Sequence, residues 1–242
     1  MPTTRKSVAR APLTRERVLV AAQTLADQDG LDALTMRRLA DHLGVEAMSI
    51  YHHLPNKDAI LDGLVELAFS EIEEEVGGFG TQADVEDWRA VLRGRILGSR
   101  RVLLTHRWVP VVLETRGVMV PTMARYIDGV VAIMRAGGLS FDLIHHSLHA
   151  LGSRMYGFTQ ELSLDSDDAA PAGEDLVRMR AFVPNLAAML EEVVHDDPDS
   201  TLGWCDDQTE FEFGLDILLG GIERRRAAET RQDAPGARRS SR

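Results

Sequence analysis

Thr35-Met-Arg-Arg-Leu-Ala-Asp-His-Leu-Gly-Val-Glu-Ala-Met-Ser-Ile-Tyr-His-His-Leu-Pro-Asn-Lys57 reads as two short helices joined by a tight turn. Thr35 is an N-cap type residue, and Gly44 stands where a helix must end in a left-handed residue. Leu39, Ala40 and Leu43 fall on one face of the first helix, and Val45 and Ile50 of the second segment close against them. Small Ala40 allows close approach. The second helix, Ala47 to His53, is stopped by Pro55 and Asn56. It is too short, and too polar on one side, to be a core helix. Its outward positions are Ala47, Met48, Ser49, Tyr51, His52 and His53. A helix of this kind, carried on a helix-turn-helix, fits the DNA major groove and brings side chains to base edges. Arg37, Arg38 and Lys57 flank it and can reach phosphates, as can the N-termini of the helices at Thr35 and Lys57.

Outward from this stretch the pattern stays helical. Residues 14–29 form a helix capped by Thr14, with Val18, Ala22, Leu25 and Ala26 on one face and Gly30 as its stop. Lys57 to Glu75 carries the stripe Ile60, Leu61, Leu64, Val65, Ala68 and Ile72, and Gly77, Gly78 and Gly80 mark a junction after it. Further helices are expected over a face from Val85 to Leu103, over 109–116, from Pro121 to Arg135 and over 141–163. Others follow at 174–182, from Pro184 to His195, and from Asp207 to Arg226. No segment alternates like a strand and no repeat of fixed period is found. The expectation is an all-α chain: a basic flexible arm (1–13), a three-helix helix-turn-helix domain with its connecting helix (14–76), a larger helical ligand-binding and dimerisation domain (81–226) and a disordered tail (227–242).

Charge follows this division. The chain has a formal net charge of −11. Residues 1–60 hold 8 Lys and Arg against 7 Asp and Glu, a net of +1, and residues 61–242 hold 19 against 31, a net of −12. A DNA contact therefore belongs to the N-terminal end. The single cysteine, Cys205, excludes an internal disulfide. No apolar run is long enough to span a membrane. Met1 to Pro12 lacks the apolar stretch of a secretory signal, so a cytoplasmic location is expected.

The combination Thr35, Arg37, Leu39, Ala40, Leu43, Gly44, Val45, Ile50, Tyr51, His53, Asn56 and Lys57 resembles the N-terminal domain of the tetracycline-repressor family, over about residues 14–65. The resemblance implies that Thr35, Arg37, Tyr51, His53 and Lys57 hold phosphates, while Ala47, Met48, Ser49 and His52 face bases. With Ala47 and Met48 in place of longer polar groups, contacts to thymine methyls are expected there. It also implies a twofold operator read by a dimer.

Two later segments resemble the C-terminal domain of that family: Leu148 to Phe158 with Gln160-Glu161, and Phe213 to Ile222. There the corresponding helices of two subunits form a four-helix interface. Gly152 and Gly157 inside a long helix each cost about 1 kcal/mol relative to Ala. A close backbone neighbour would account for them. Phe211, Gly214, Leu215, Leu218, Gly221 and Ile222 share a side of the last helix. Gly152, Gly157, Phe211, Gly214, Leu218 and Gly221 are the dimer-interface candidates.

An effector pocket is expected among residues 85–163, with Trp88, Leu92, Trp108, Met119, Met123, Tyr126, Met134, His149 and Met155 as candidate lining. The resemblance implies a small, largely apolar ligand that changes the spacing of the two heads through the helix Lys57–Glu75. No cofactor is expected. His145 and His149, four apart, have the spacing of a two-His metal site. This keeps a helical metal-dependent hydrolase open as an alternative, beside a nonspecific architectural DNA binder.

Overall fold

The computed structural model describes residues 12–80, 87–117, 119–161, 174–192 and 207–233. Among these residues it is all α-helical, with no strand. The helices are α1 (Arg15–Asp29), α2 (Met36–Leu43), α3 (Ala47–Tyr51), α4 (Lys57–Glu75), α5 (Trp88–Thr105), α6 (Val109–Arg116), α7 (Pro121–Ala136), α8 (Phe141–Glu161), α9 (Glu174–Arg180), α10 (Pro184–Glu192) and α11 (Asp207–Asp233). The basic arm up to Ala11, the loop 164–173, Val85, Cys205 and the end of the tail lie outside the described residues.

The chain divides into two compact units, Met1–Phe79 with Arg101–Ile127, and Gly80–Arg100 with Asp128–Arg242. The last turn of α5, the whole of α6 and the first half of α7 thus belong with the N-terminal helices.

In the first unit the helix ends are set by the residues that favour them. Thr14 Oγ1 accepts from Arg17 N–H, Thr35 Oγ1 from Arg38 N–H and Asn56 Oδ1 from Ala59 N–H, at 3.2, 3.2 and 2.8 Å. Gly44, with φ +64°, ends α2, and the next N–H, of Val45, returns to Ala40 C=O at 3.0 Å. That left-handed residue turns the chain into α3. A 3₁₀ turn at Leu31–Ala33, unmarked in the sequence pattern, joins α1 to α2. The core of the head is Val18, Leu19, Ala22, Leu25, Leu34, Leu39, Ala40, Ile50, Leu54, Ile60 and Leu64, all buried. Gly63 brings α4 onto α1. A methyl there would stand 2.5 Å from Leu19 Cδ2.

In the second unit α8 packs on α11 and α9 pairs with α10. Arg93 of α5 holds Glu212 and Asp216 of α11 at 2.5 and 2.8 Å. Gly137, just past α7, makes room for Trp88, whose Cγ would lie 2.4 Å from an added methyl. The last helix continues to Asp233 rather than stopping at Arg226. Ala227, Ala228 and Glu229 are good helix formers that remain half-buried.

Candidate nucleic-acid interface

The helix-turn-helix places its parts as their polarity dictates. Ile50 is fully buried and anchors α3, and Leu54 seals the turn after it. Met48 is 65% exposed and Tyr51 41%. His52 is also exposed, while Ala47, Ser49 and His53 are half-buried. Of the expected reading positions, Met48 and Tyr51 of α3 and His52 just after it are the exposed ones.

The flanking cations differ from one another. Arg37 is exposed. Arg38 is held by Asp29, Nη2 to Oδ2 at 2.6 Å, with the two side chains 49% and 43% exposed. Lys57 Nζ donates to Leu31 C=O at 3.3 Å. The Thr35 hydroxyl is already engaged as a cap. The Arg38–Asp29 pair escaped the sequence reading because its members come from different helices. Only the three-dimensional crossing of α1 and α2 brings them together.

The pocket candidates divide between the two units. Trp108, Met119, Met123 and Tyr126 fall in the first, and Trp88, Leu92, Met134, His149 and Met155 in the second. Tyr126 stacks edge-on against Phe69 and Phe79 at 5.7 and 5.4 Å, and Trp108 donates to Asp27 at 2.6 Å. Leu92, Met134, Met155 and Trp88 are buried, Met123 is half-buried, and Met119 and His149 are exposed.

The dimer candidates separate as well. Phe211 is completely enclosed within its own unit, under the guanidinium of Arg100 at 4.3 Å from the ring centre. The space over Gly214 is taken by Arg154 of α8, 2.8 Å from where a methyl would stand. Gly157 faces open space, and Gly152 and Gly221 meet only distant atoms at 4.0 and 3.8 Å. Leu218 is half-buried. Phe213 and Ile217, inside the segment that carries the resemblance but not among the dimer candidates, are 64% and 55% exposed on the same helix. The His145 and His149 rings meet edge to face at 4.8 Å. Among the described residues no group of three or more His, Cys, Asp or Glu is arranged to hold a metal ion.

Two family models match the chain. One is described as bacterial regulatory proteins, tetR family, over residues 18–64, and the other as the tetracyclin repressor-like C-terminal domain over residues 81–226. The chain belongs to the tetR family. Among its relatives is the tetracycline repressor protein class C of Escherichia coli, 30% identical over 216 residues, covering 88% of this chain and 92% of that protein. The HTH-type transcriptional repressor DrrR1 of Streptomyces coeruleorubidus is 28% identical, covering 92% and 82%. The Streptomyces coelicolor TetR family protein ActR in complex with actinorhodin superposes with a TM-score of 0.68 at 25% identity, covering 89% of this chain and 99% of that one. As a member of this tetR family, the chain is a DNA-binding transcription regulator. No single helix among the described residues is long and apolar enough to cross a membrane.

Proposed function

We propose that this regulator is a cytoplasmic repressor that binds a palindromic operator as a homodimer and leaves it when a small, largely apolar effector binds its C-terminal domain. The observation that carries the proposal is α3 itself. A five-residue helix fixed by one buried residue, Ile50, holds Met48, Tyr51 and His52 outward beside Arg37 and Lys57. Met48, Ser49, Ala47 and His52 face bases. Arg37, Arg38, Lys57, Tyr51, His53 and Thr35 hold phosphates.

Dimerisation is favoured by the outer side of α11. Its inner face already fills the protomer core through Phe211, Leu215, Leu219 and Ile222. Phe213 and Ile217 remain apolar and exposed on the other side, and a helix apolar on both sides needs a second cover. The open space at Gly157 and the loose surroundings of Gly152 and Gly221 suit the close approach of a helix from a second copy.

An effector acts only through a difference in affinity between operator-competent and released states. Bound ligands are known in the likeness itself: ActR was solved with actinorhodin and with (S)-DNPA.

Enrichment of duplexes from a random pool, followed by light scattering of the complex, tests the proposal. A twofold-symmetric consensus bound by two chains is expected. Recovery of no consensus, or binding by a single chain, would overturn it.

A further inference from the structure

A buried histidine lies inside the first unit between two carboxylates. His106, immediately after α5, is 4% exposed. Its Nδ1 is 2.8 Å from Asp27 Oδ1, and its Nε2 is 2.7 Å from Glu71 Oε2. A neutral imidazole carries one N–H, whereas a carboxylate at each ring nitrogen is satisfied only when both nitrogens donate. The same carboxylates gather further donors. Trp108 Nε1–H reaches Asp27 Oδ1 at 2.6 Å, and the Gln23 amide reaches Glu71 Oε1 at 2.6 Å. The Gln23 amide nitrogen also lies 3.2 Å from His106 Nε2. Asp27 and Gln23 come from α1, Glu71 from α4, and His106 and Trp108 from the corner between α5 and α6. One ring therefore ties three parts of the unit together.

We propose that doubly protonated His106 is a positioning residue for operator binding: it clamps α1 to α4 and to the α5–α6 corner, and so fixes the pose in which the head presents α3. The proposal rests on the operator-binding reading above. α1 is the helix that carries α2, and through it α3. Loss of one ring proton turns a nitrogen lone pair toward a carboxylate in a buried site, where an unmade hydrogen bond and like polarity are both costly. The clamp then opens and α1 is released from α4. Burial by itself would lower the pKa of His106, but the hydrogen bonds and charges of Asp27 and Glu71 outweigh it and raise it above its ordinary 6.5. The change of state therefore falls on the alkaline side of that value.

The test uses the full chain and the duplex it enriches from a random pool, with affinity measured by fluorescence anisotropy from about pH 6 to about pH 9. His106→Gln keeps one donor nitrogen and comparable size but cannot be protonated. At the acidic end it is expected to bind about tenfold more weakly than the wild type, the scale of losing one hydrogen bond to a charged group. The gap should close as the pH rises and the wild type loses its own clamp. His42, His52 and His53 are common to both chains, so the comparison isolates the effect of position 106. Ring-selective NMR of His106 in the free protein should show both nitrogens protonated at neutral pH. If His106→Gln fails to fold, the Asp27→Asn/Glu71→Gln chain replaces it, with the same narrowing gap expected.

A constant gap at every pH, no gap at all, or a neutral His106 ring at pH 6 would overturn the clamp while leaving operator binding intact. A wild-type chain that enriches no duplex overturns both.

Discussion

If Arg38 holds a phosphate as proposed, Asp29 competes with DNA for it, and Asp29→Asn should tighten operator binding. The two side chains are paired at 2.6 Å, and both stand nearly half exposed at the edge of the helix-turn-helix. An exposed pair of this kind contributes about 0.2–1 kcal/mol. Binding a phosphate through Arg38 requires giving up that interaction, so its removal should strengthen binding by up to about fivefold at low salt, with 1.4 kcal/mol corresponding to tenfold. The gain adds to the relief of a negative charge beside the DNA backbone and diminishes as salt screens both. Arg38→Ala should do the reverse, weakening binding and lowering the slope of log K against log salt by about 0.9, the value for one phosphate contact. Anisotropy titrations of the enriched duplex at four or five salt concentrations measure affinity and slope together. Thermal unfolding should change by less than about 1 kcal/mol in either variant. If Asp29→Asn leaves affinity unchanged and Arg38→Ala leaves the slope unchanged, Arg38 is a structural residue and does not hold a phosphate.

Gly137→Ala should destabilise the protein by about 1–3 kcal/mol, since its methyl would overlap the buried Trp88 ring; an unchanged melting temperature would show that Trp88 can move aside. Phe213→Glu/Ile217→Glu should convert the proposed dimer to a folded monomer in light scattering and weaken operator binding, whereas an intact dimer would place the interface elsewhere. The stabilising contribution of His106 should be complete below about pH 6.5, the ordinary value of its unfolded form, and decline as the pH rises through its raised folded value. Urea unfolding near pH 6 and pH 9 should therefore separate wild type from His106→Gln more at the lower pH, and an equal separation would refute the linkage. Glu212 is held below its ordinary value by hydrogen bonds from Gln208 and then Arg93, so its contribution is present above about pH 4.5 and is lost as acid protonates it. Gln208→Ala should reduce the acid sensitivity of stability between pH 5 and pH 3.

The head was legible in the sequence because its determinants are local. Thr14, Thr35 and Asn56 cap the helices they precede, and Gly44 turns α2 into α3, each within a few residues of the bond it makes. The buried residues Leu39, Ala40 and Ile50 likewise follow from helical spacing. What escaped notice depends on residues far apart in the chain. The His106 cluster draws on α1, α4 and the α5–α6 corner. Its one local trace is Gln23 and Asp27, a polar pair one turn apart beside the apolar face of α1. Trp108, read as pocket lining, is engaged in that cluster. Phe211 was grouped with the dimer candidates on one side of α11 from its spacing and the family resemblance, yet the long helix is apolar on two sides, and Phe211 is buried beside Arg100 and Arg154 of its own chain. Helical periodicity identifies apolar faces. It does not say which one meets the protein's own core and which meets a partner.

The most direct measurement is the operator consensus enriched by the wild type beside that enriched by Met48→Arg. If α3 lies along the bases, the wild type yields a palindrome. The variant should then change the preferred base at one pair of symmetry-related positions, toward the guanine that a bidentate arginine selects, and leave the remainder intact. An identical consensus from both chains would mean that Met48 does not face DNA, and the account of α3 as the reading helix would fail.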